Sequence, residues 1–137
     1  MRKWTNWKMI SMNNFIDSNI FVIASTEHKD KNKCIDRIKK GGCINTLILL
    51  EAYAKLGTIT KDIDYADAVT KQIISDEKIV IVNFDVNLFF EASKRAKKYG
   101  LKISDLIHYT TALLQNCPSI ISYDKDFDNL EIKRIEP

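Results

Sequence analysis

Proline and glycine are scarce in this sequence, with two and four residues respectively among 137. That leaves no room for a flexible linker or a low-complexity tract, and the length suits one domain with a genuine core. The three cysteines, Cys34, Cys43 and Cys117, form no C-x-x-C pair. Neither a disulfide framework nor a structural zinc site is therefore expected, and a reducing, cytoplasmic setting fits best. Only two histidines occur, and neither His28 nor His108 stands at metal-ligand spacing from a cysteine. A P-loop, a G-x-G-x-x-G turn, a Ser-His-Asp order and internal repeats are all missing. No apolar run reaches the length of a membrane span. The opening MRKWTNWKMI is basic but lacks the apolar segment of a signal peptide. Residues 1–11 read as an N-terminal extension, with Met9 and Met12 just ahead of the first clear element.

Charge does little to narrow the function. Lys and Arg number 21 against 18 Asp and Glu, a net +3, which permits an acidic partner such as nucleic acid without requiring one. The patterning is more informative. Apolar periodicity predicts short strands alternating with helices. The strands are expected at Met12–Ile16, Cys43–Asn45, Lys78–Phe84 and Ser119–Tyr123, with a last edge strand at Glu131–Ile135. Helices are expected from near Asn19, over Lys29–Lys40 up to a Gly41-Gly42 stop, and from a Thr46 cap to Gly57. Others follow over Asp62–Asp76, from an Asp85 cap to Gly100, and from Ser104 to Leu114. Such alternation implies right-handed crossovers and a mostly parallel sheet covered on both faces. Ligands in these sheets bind beyond the carboxyl ends of the strands, where Asp17 and Asp124 both fall.

Each acidic residue near those ends has a plain structural reading beside a functional one. Asp17, in FIDSNIF, is a good N-cap for the next helix, yet a carboxylate beside buried strand residues costs several kcal/mol unless something pairs with it. Glu51 interrupts the apolar TLILLEAYA four residues after Leu47, so it shares a face with Leu47, Leu50 and Ala54. It is either a boundary residue reaching water or part of a site. Asp105, in KISDLIHYTTALL, suits the positive end of its helix as well as it would suit a site. In SYDKDFDNL, Asp124 lies nearest the strand end and is the first candidate, Asp126 the second, and Asp128 is expected in solvent. An EF-hand is excluded, because its Gly and distal Glu are missing. His108, three residues past Asp105, either touches the rim of that site or, the favoured reading, is simply a packed or half-exposed helix residue.

Taken in order, FIDSNIF, TLILLEAYAKLG, SDLIHYTTAL and ISYDKDF resemble the PIN-domain family of metal-dependent ribonucleases. The first resembles the family's Asp-Thr/Ser-Asn after strand one, and Ser122-Tyr123-Asp124-Lys125-Asp126-Phe127 resembles its Thr/Ser-x-Asp-x-Asp-Phe signature. Where the family more often has small residues, this chain carries Tyr109 and Thr110. The resemblance implies a single domain over 12–137, folded as a three-layer α/β/α sandwich. In it Asp17, Glu51, Asp105 and Asp124 would act as the catalytic acids. Asp17, Asp105, Asp124 and Asp126 would hold metal, with Ser18, Asn19, Ser122 and Lys125 steadying the carboxylates or touching phosphate. Carboxylates about 5 Å apart repel by roughly 3 kcal/mol at an effective dielectric near 20, so a cluster of four calls for a cation. An all-oxygen site selects Mg²⁺ or Mn²⁺.

The implied activity is hydrolysis of single-stranded RNA, with Glu51 orienting the ion or its water. Lys125 and the run Lys94-Arg95-Lys97-Lys98 would attract the RNA backbone, unless that run is simply a solvated helix face. Small proteins of the family resemble VapC-type toxins, which implies an antitoxin partner and a homodimer. A stand-alone RNA-processing nuclease is the alternative within the family. Outside it stand a phosphoacceptor domain of the receiver type and a TOPRIM-like site, the latter wanting Glu where Asp17 lies. Asp17→Asn is expected to abolish cleavage and to leave the metal-free fold intact or more stable.

Overall fold

A computed structural model describes residues 13–137. The expected extension at residues 1–11 and Met12 of the expected first strand lie outside them. Five short strands form one sheet: β1 (Phe15–Ile16), β2 (Gly42–Asn45), β3 (Ile79–Val82), β4 (Ser119–Ile121) and β5 (Lys133–Ile135). Their order is β3-β2-β1-β4-β5, and every pairing is parallel. The helices are α1 (Ser18–Ala24), α2 (Lys31–Lys39), α3 (Thr46–Thr60), α4 (Ile63–Ser75), α5 (Val86–Ser93), α6 (Ala96–Tyr99) and α7 (Ile103–Leu114). A single 3₁₀ turn covers Lys125–Phe127.

Topology puts these helices in two layers. From β1 to β2 to β3 the chain steps in one direction, so right-handed crossovers carry α1 to α4 over one face. It then returns past β1 to β4, which sends α5 to α7 over the other. The packing agrees, since α1 meets α2 and α3, α3 meets α4, and α7 meets α5 and α6. The result is the three-layer sandwich, and the strand order reverses at β1. The crevice at such a reversal is where open α/β sheets place ligands. This order also differs from the 2-1-3-4-5 arrangement of receiver-type domains.

β1 is only two residues long but lies at the centre, with Phe15 and Ile16 wholly buried. Its neighbours crowd it. At Gly42 a Cβ would fall 2.8 Å from the Asn14 carbonyl oxygen and 2.6 Å from Ile16 Cδ1. We expect Gly42→Ala to destabilise the protein by about 1–3 kcal/mol through this overpacking, measured as a lower urea midpoint. Gly41, just past the end of α2, has φ of +80°, the left-handed conformation that ends helices. The expected Gly-Gly stop therefore divides its work: Gly41 turns the chain, and Gly42 already belongs to β2.

Several expectations need adjusting. On α3 the buried stripe is Ile48, Ala52 and Leu56, whereas Leu50 is 61% exposed and Ala54 is also exposed. In a helix this apolar, periodicity could not choose the face. Asn45, not Thr46, caps α3, accepting from the Ile48 amide at 3.0 Å. The Thr46 hydroxyl instead accepts from the Phe84 amide. The single helix expected from Asp85 to Gly100 breaks into α5 and α6, and Arg95 folds back across the break onto the Glu91 carbonyl and carboxylate. Lys78–Phe84, the strongest strand signal, shortens to β3 at the sheet edge, with only Ile79 fully buried. On α4, Ala66, Thr70 and Ile73 face inward while Ile63 is exposed. All three cysteines are buried with free thiols. No helix among the described residues is long and apolar enough to cross a membrane.

Candidate functional site

The parallel pairing of β1 with β4 delivers two chain ends to one place. Asp17 follows β1, and its amide donates to the Ile121 carbonyl of β4. Ser122 and Asp124 follow β4. Asp17 is indeed the N-cap of α1, since Oδ1 accepts from the Ser18 amide at 2.7 Å. It is more than a cap. Oδ2 accepts from the Ser122 hydroxyl at 2.6 Å and from Asn19 Nδ2 at 3.2 Å. Ser122 Oγ in turn accepts from the Asp124 amide at 2.9 Å. These bonds lock β1, α1 and the loop after β4 together around one buried carboxylate.

The other acids arrive from the helices. Asp105 lies in the first turn of α7, and Glu51 in the middle of α3. Asp17, Ser18, Asn19, Glu51, Asp105 and Asp124 line one open cavity of about 560 Å³, with Lys55 and Lys102 also on its wall. Atoms of metal-ligating type fall into two groups, each within 4.8 Å: Asp105 with Asp124 and Asp126, and Asp17 with Glu51 and a His108 ring nitrogen. The four acids line the same cavity but fall in two separate groups, Asp17 with Glu51 and Asp105 with Asp124. Asp126 is exposed but adjoins Asp124, whose Oδ1 accepts from the Asp126 amide. Lys125 is exposed and does not line the cavity. Asp128, expected in solvent, pairs with Arg134 at 2.7 Å, and Arg134 also donates to the Ser122 carbonyl at 3.0 Å. That guanidinium ties β5 to the loop carrying Asp124.

Burial sets the electrostatics. Asp105 is pushed up to about 6, first by loss of solvent and then by repulsion from Asp124, with Lys102 opposing the rise and Asp17 adding to it. Its Oδ2 is buried with no hydrogen-bond partner among the described residues, and Lys102 Nζ stands 4.0 Å away. A buried carboxylate oxygen without a hydrogen bond, repelled by other carboxylates, is what a hard cation would satisfy. Asp17 is also raised, because burial outweighs the bonds from Ser122 and Ser18. Glu51 behaves differently. Burial works against its ionisation, but hydrogen bonds from His108 and Ser18 outweigh that and hold it below the usual range. The carboxylates offer an all-oxygen donor set, which fits Mg²⁺ or Mn²⁺ rather than a thiolate-seeking metal.

Sequence reasoning underweighted two groups here. His108 is a packed helix residue, as expected, but its Nε2 lies 3.0 and 3.1 Å from the two Glu51 oxygens, a contact the sequence did not suggest. Lys55 and Lys102 went unnoticed as cavity-wall residues. Lys55 lies one helical turn from Glu51, and Lys102 lies three residues before Asp105, spacings that could have flagged them. The Lys94–Lys98 run is instead largely engaged locally: Lys94 and Arg95 pair with Glu91, and Lys98 pairs with Glu131.

A profile of the family described as PIN domain matches residues 15–133. Among solved structures, the chain is similar to the toxin VapC20 of Mycobacterium tuberculosis, described as cleaving the sarcin-ricin loop. That match has a TM-score of 0.75 at 12% identity, covering 90% of this chain and 98% of the other. A toxin–antitoxin complex from Klebsiella pneumoniae is similar with a TM-score of 0.70 at 15% identity, covering 90% and 97%. No curated protein matches the sequence.

Proposed function

Because the chain belongs to the PIN-domain family, we propose that it is an Mg²⁺- or Mn²⁺-dependent endoribonuclease acting on single-stranded RNA, as the toxin of a VapC-type pair. The observation that carries this reading is the buried Oδ2 of Asp105, which has no hydrogen-bond partner among the described residues and is repelled by Asp124 and Asp17. Asp17, Asp105 and Asp124 would hold the ion, with Asp126 adjoining. A bound divalent ion would polarise water for attack and offset charge on the scissile phosphate.

The protein's own groups have separate tasks in this scheme. Ser122 and Asn19 keep Asp17 in one rotamer, so the acid is in place before any ligand arrives. At Asp105, whose pKa is raised to about 6, a cation would compete with a proton, so metal binding should weaken as pH falls through that value. Glu51, held ionised, adds negative charge on the side of the cavity formed by α3. Lys55 and Lys102 flank these acids and would fix the phosphates either side of the cut. Lys55→Ala should raise KM for RNA several-fold with kcat nearly unchanged, and should flatten the salt dependence of KM by about one phosphate contact.

The solved toxin and toxin–antitoxin complex support the toxin reading over a stand-alone processing nuclease. An antitoxin and a second copy of the chain would then be its protein partners, and the cytoplasm its setting. Exposed Phe84, Val86, Phe89 and Phe90 offer apolar surface for such contacts. Cleavage of a fluorescent RNA in Mg²⁺, Mn²⁺ or EDTA tests the activity. Products are expected with either ion and none in EDTA. Cleavage that persists in EDTA, or none with both ions, refutes the proposal.

A further inference from the structure

We infer that His108 is a positioning residue for Glu51, locked by Asn45 as the neutral tautomer whose Nε2–H points at the Glu51 carboxylate. The tautomer follows from counting donors. Asn45 Oδ1 accepts from the Ile48 amide as the cap of α3, which fixes the orientation of its amide. Its Nδ2 therefore supplies two hydrogens, one to the Thr111 hydroxyl at 2.9 Å and one to His108 Nδ1 at 3.1 Å. Thr111 is able to accept because its own hydrogen goes to the Ile107 carbonyl at 2.8 Å. His108 Nδ1 must then be the acceptor, and the ring hydrogen must sit on Nε2. An imidazolium would set an N–H against the Asn45 amide hydrogens.

The same bonds fix the ring in space. His108 is 1% exposed, and its ring centroid lies 5.6 Å from that of Phe15. The bond to both Glu51 oxygens, with that from Ser18, holds a side chain that lines the open cavity. Outer partners of this kind commonly tune affinity and activity by 10–100-fold. His108 never needs to meet RNA to act in this way.

Two near-isosteric variants separate the roles. A glutamine at 108 places an amide N–H near the Nε2 position, while an asparagine places its oxygen near Nδ1. The inference rests on the proposed function only for its activity readout. We expect His108→Gln to keep cleavage within about threefold of wild type, and His108→Asn to lose about tenfold or more. The rise in melting temperature on adding Mn²⁺ should be retained in the first and reduced in the second. Imidazole ¹⁵N NMR of the metal-free wild-type protein should show the Nε2–H tautomer. An Nδ1–H tautomer or an imidazolium at neutral pH overturns the inference, as do equal effects of the two variants. If either variant fails to fold, the wild-type spectrum decides. If wild type proves inactive on RNA while the tautomer and the Mn²⁺ responses are as expected, the nuclease reading fails and the positioning role stands.

Discussion

Asp105→Asn is expected to lower RNA cleavage about a thousandfold, equivalent to about 4 kcal/mol in the barrier, while making the metal-free protein more stable. The two effects share a cause. Asp105 is 8% exposed and faces Asp124 and Asp17, so at neutral pH its charge is held against desolvation and repulsion. An amide of the same shape removes that charge, and with it one of the carboxylates proposed to hold the ion. Raising the pKa from 3.8 to about 6 corresponds to about 3 kcal/mol as an upper bound at neutral pH.

The sign of the pH dependence follows. The folded protein holds the Asp105 proton more tightly than the unfolded chain. Its contribution is therefore fully present below pH 3.8 and is lost as pH rises through about 6. Metal-free melting temperature should climb as pH is lowered from 7 toward 4, apart from other titrations. Asp17, also raised, acts in the same direction. Glu51 is lowered, so its opposing contribution disappears only as pH falls through a value below 4.5. Asp105→Asn should flatten the climb. Calorimetric scans of both proteins in EDTA across that range test this, and parallel profiles would refute it.

Asp17→Asn should also abolish cleavage, by a similar factor, yet it should lower stability by about 1–3 kcal/mol. This departs from the expectation drawn from sequence, and the hydrogen bonds give the reason. Asp17 accepts from the Ser18 amide, the Ser122 hydroxyl and Asn19 Nδ2. An amide offers one oxygen where two are wanted and turns its NH₂ toward a donor. Asp105 has no such donors on Oδ2, which is why the same change has opposite signs at two acids in one pocket. Urea midpoints in EDTA read the difference directly.

What the sequence disclosed tracks how local the physics is. Strand ends followed by Asp17 and Asp124 were legible, because short apolar runs and capping residues signal themselves within a few positions. From them the sheet, its layers and the cavity at the ends of β1 and β4 could be anticipated. The face of α3 was not, since Leu47, Ile48, Leu50 and Ala52 make several stripes equally apolar. Glu51 reached the site on a face that is half open, not on the buried stripe. The Asn45–His108–Glu51 chain was out of reach for another reason: it joins residues 63 and 57 positions apart, and no spacing rule covers such a pair. Arg134 holding the Asp124 loop through the Ser122 carbonyl is equally non-local.

The claim beneath all of this is that acids distant in the chain jointly grip a hard cation at the end of β1 and β4. Crystals soaked in Mn²⁺ and measured for its anomalous scattering would test it in one map. A peak between the carboxylates of Asp17, Asp105 and Asp124 is predicted. A map with no peak there, or with manganese bound only elsewhere, would contradict the account.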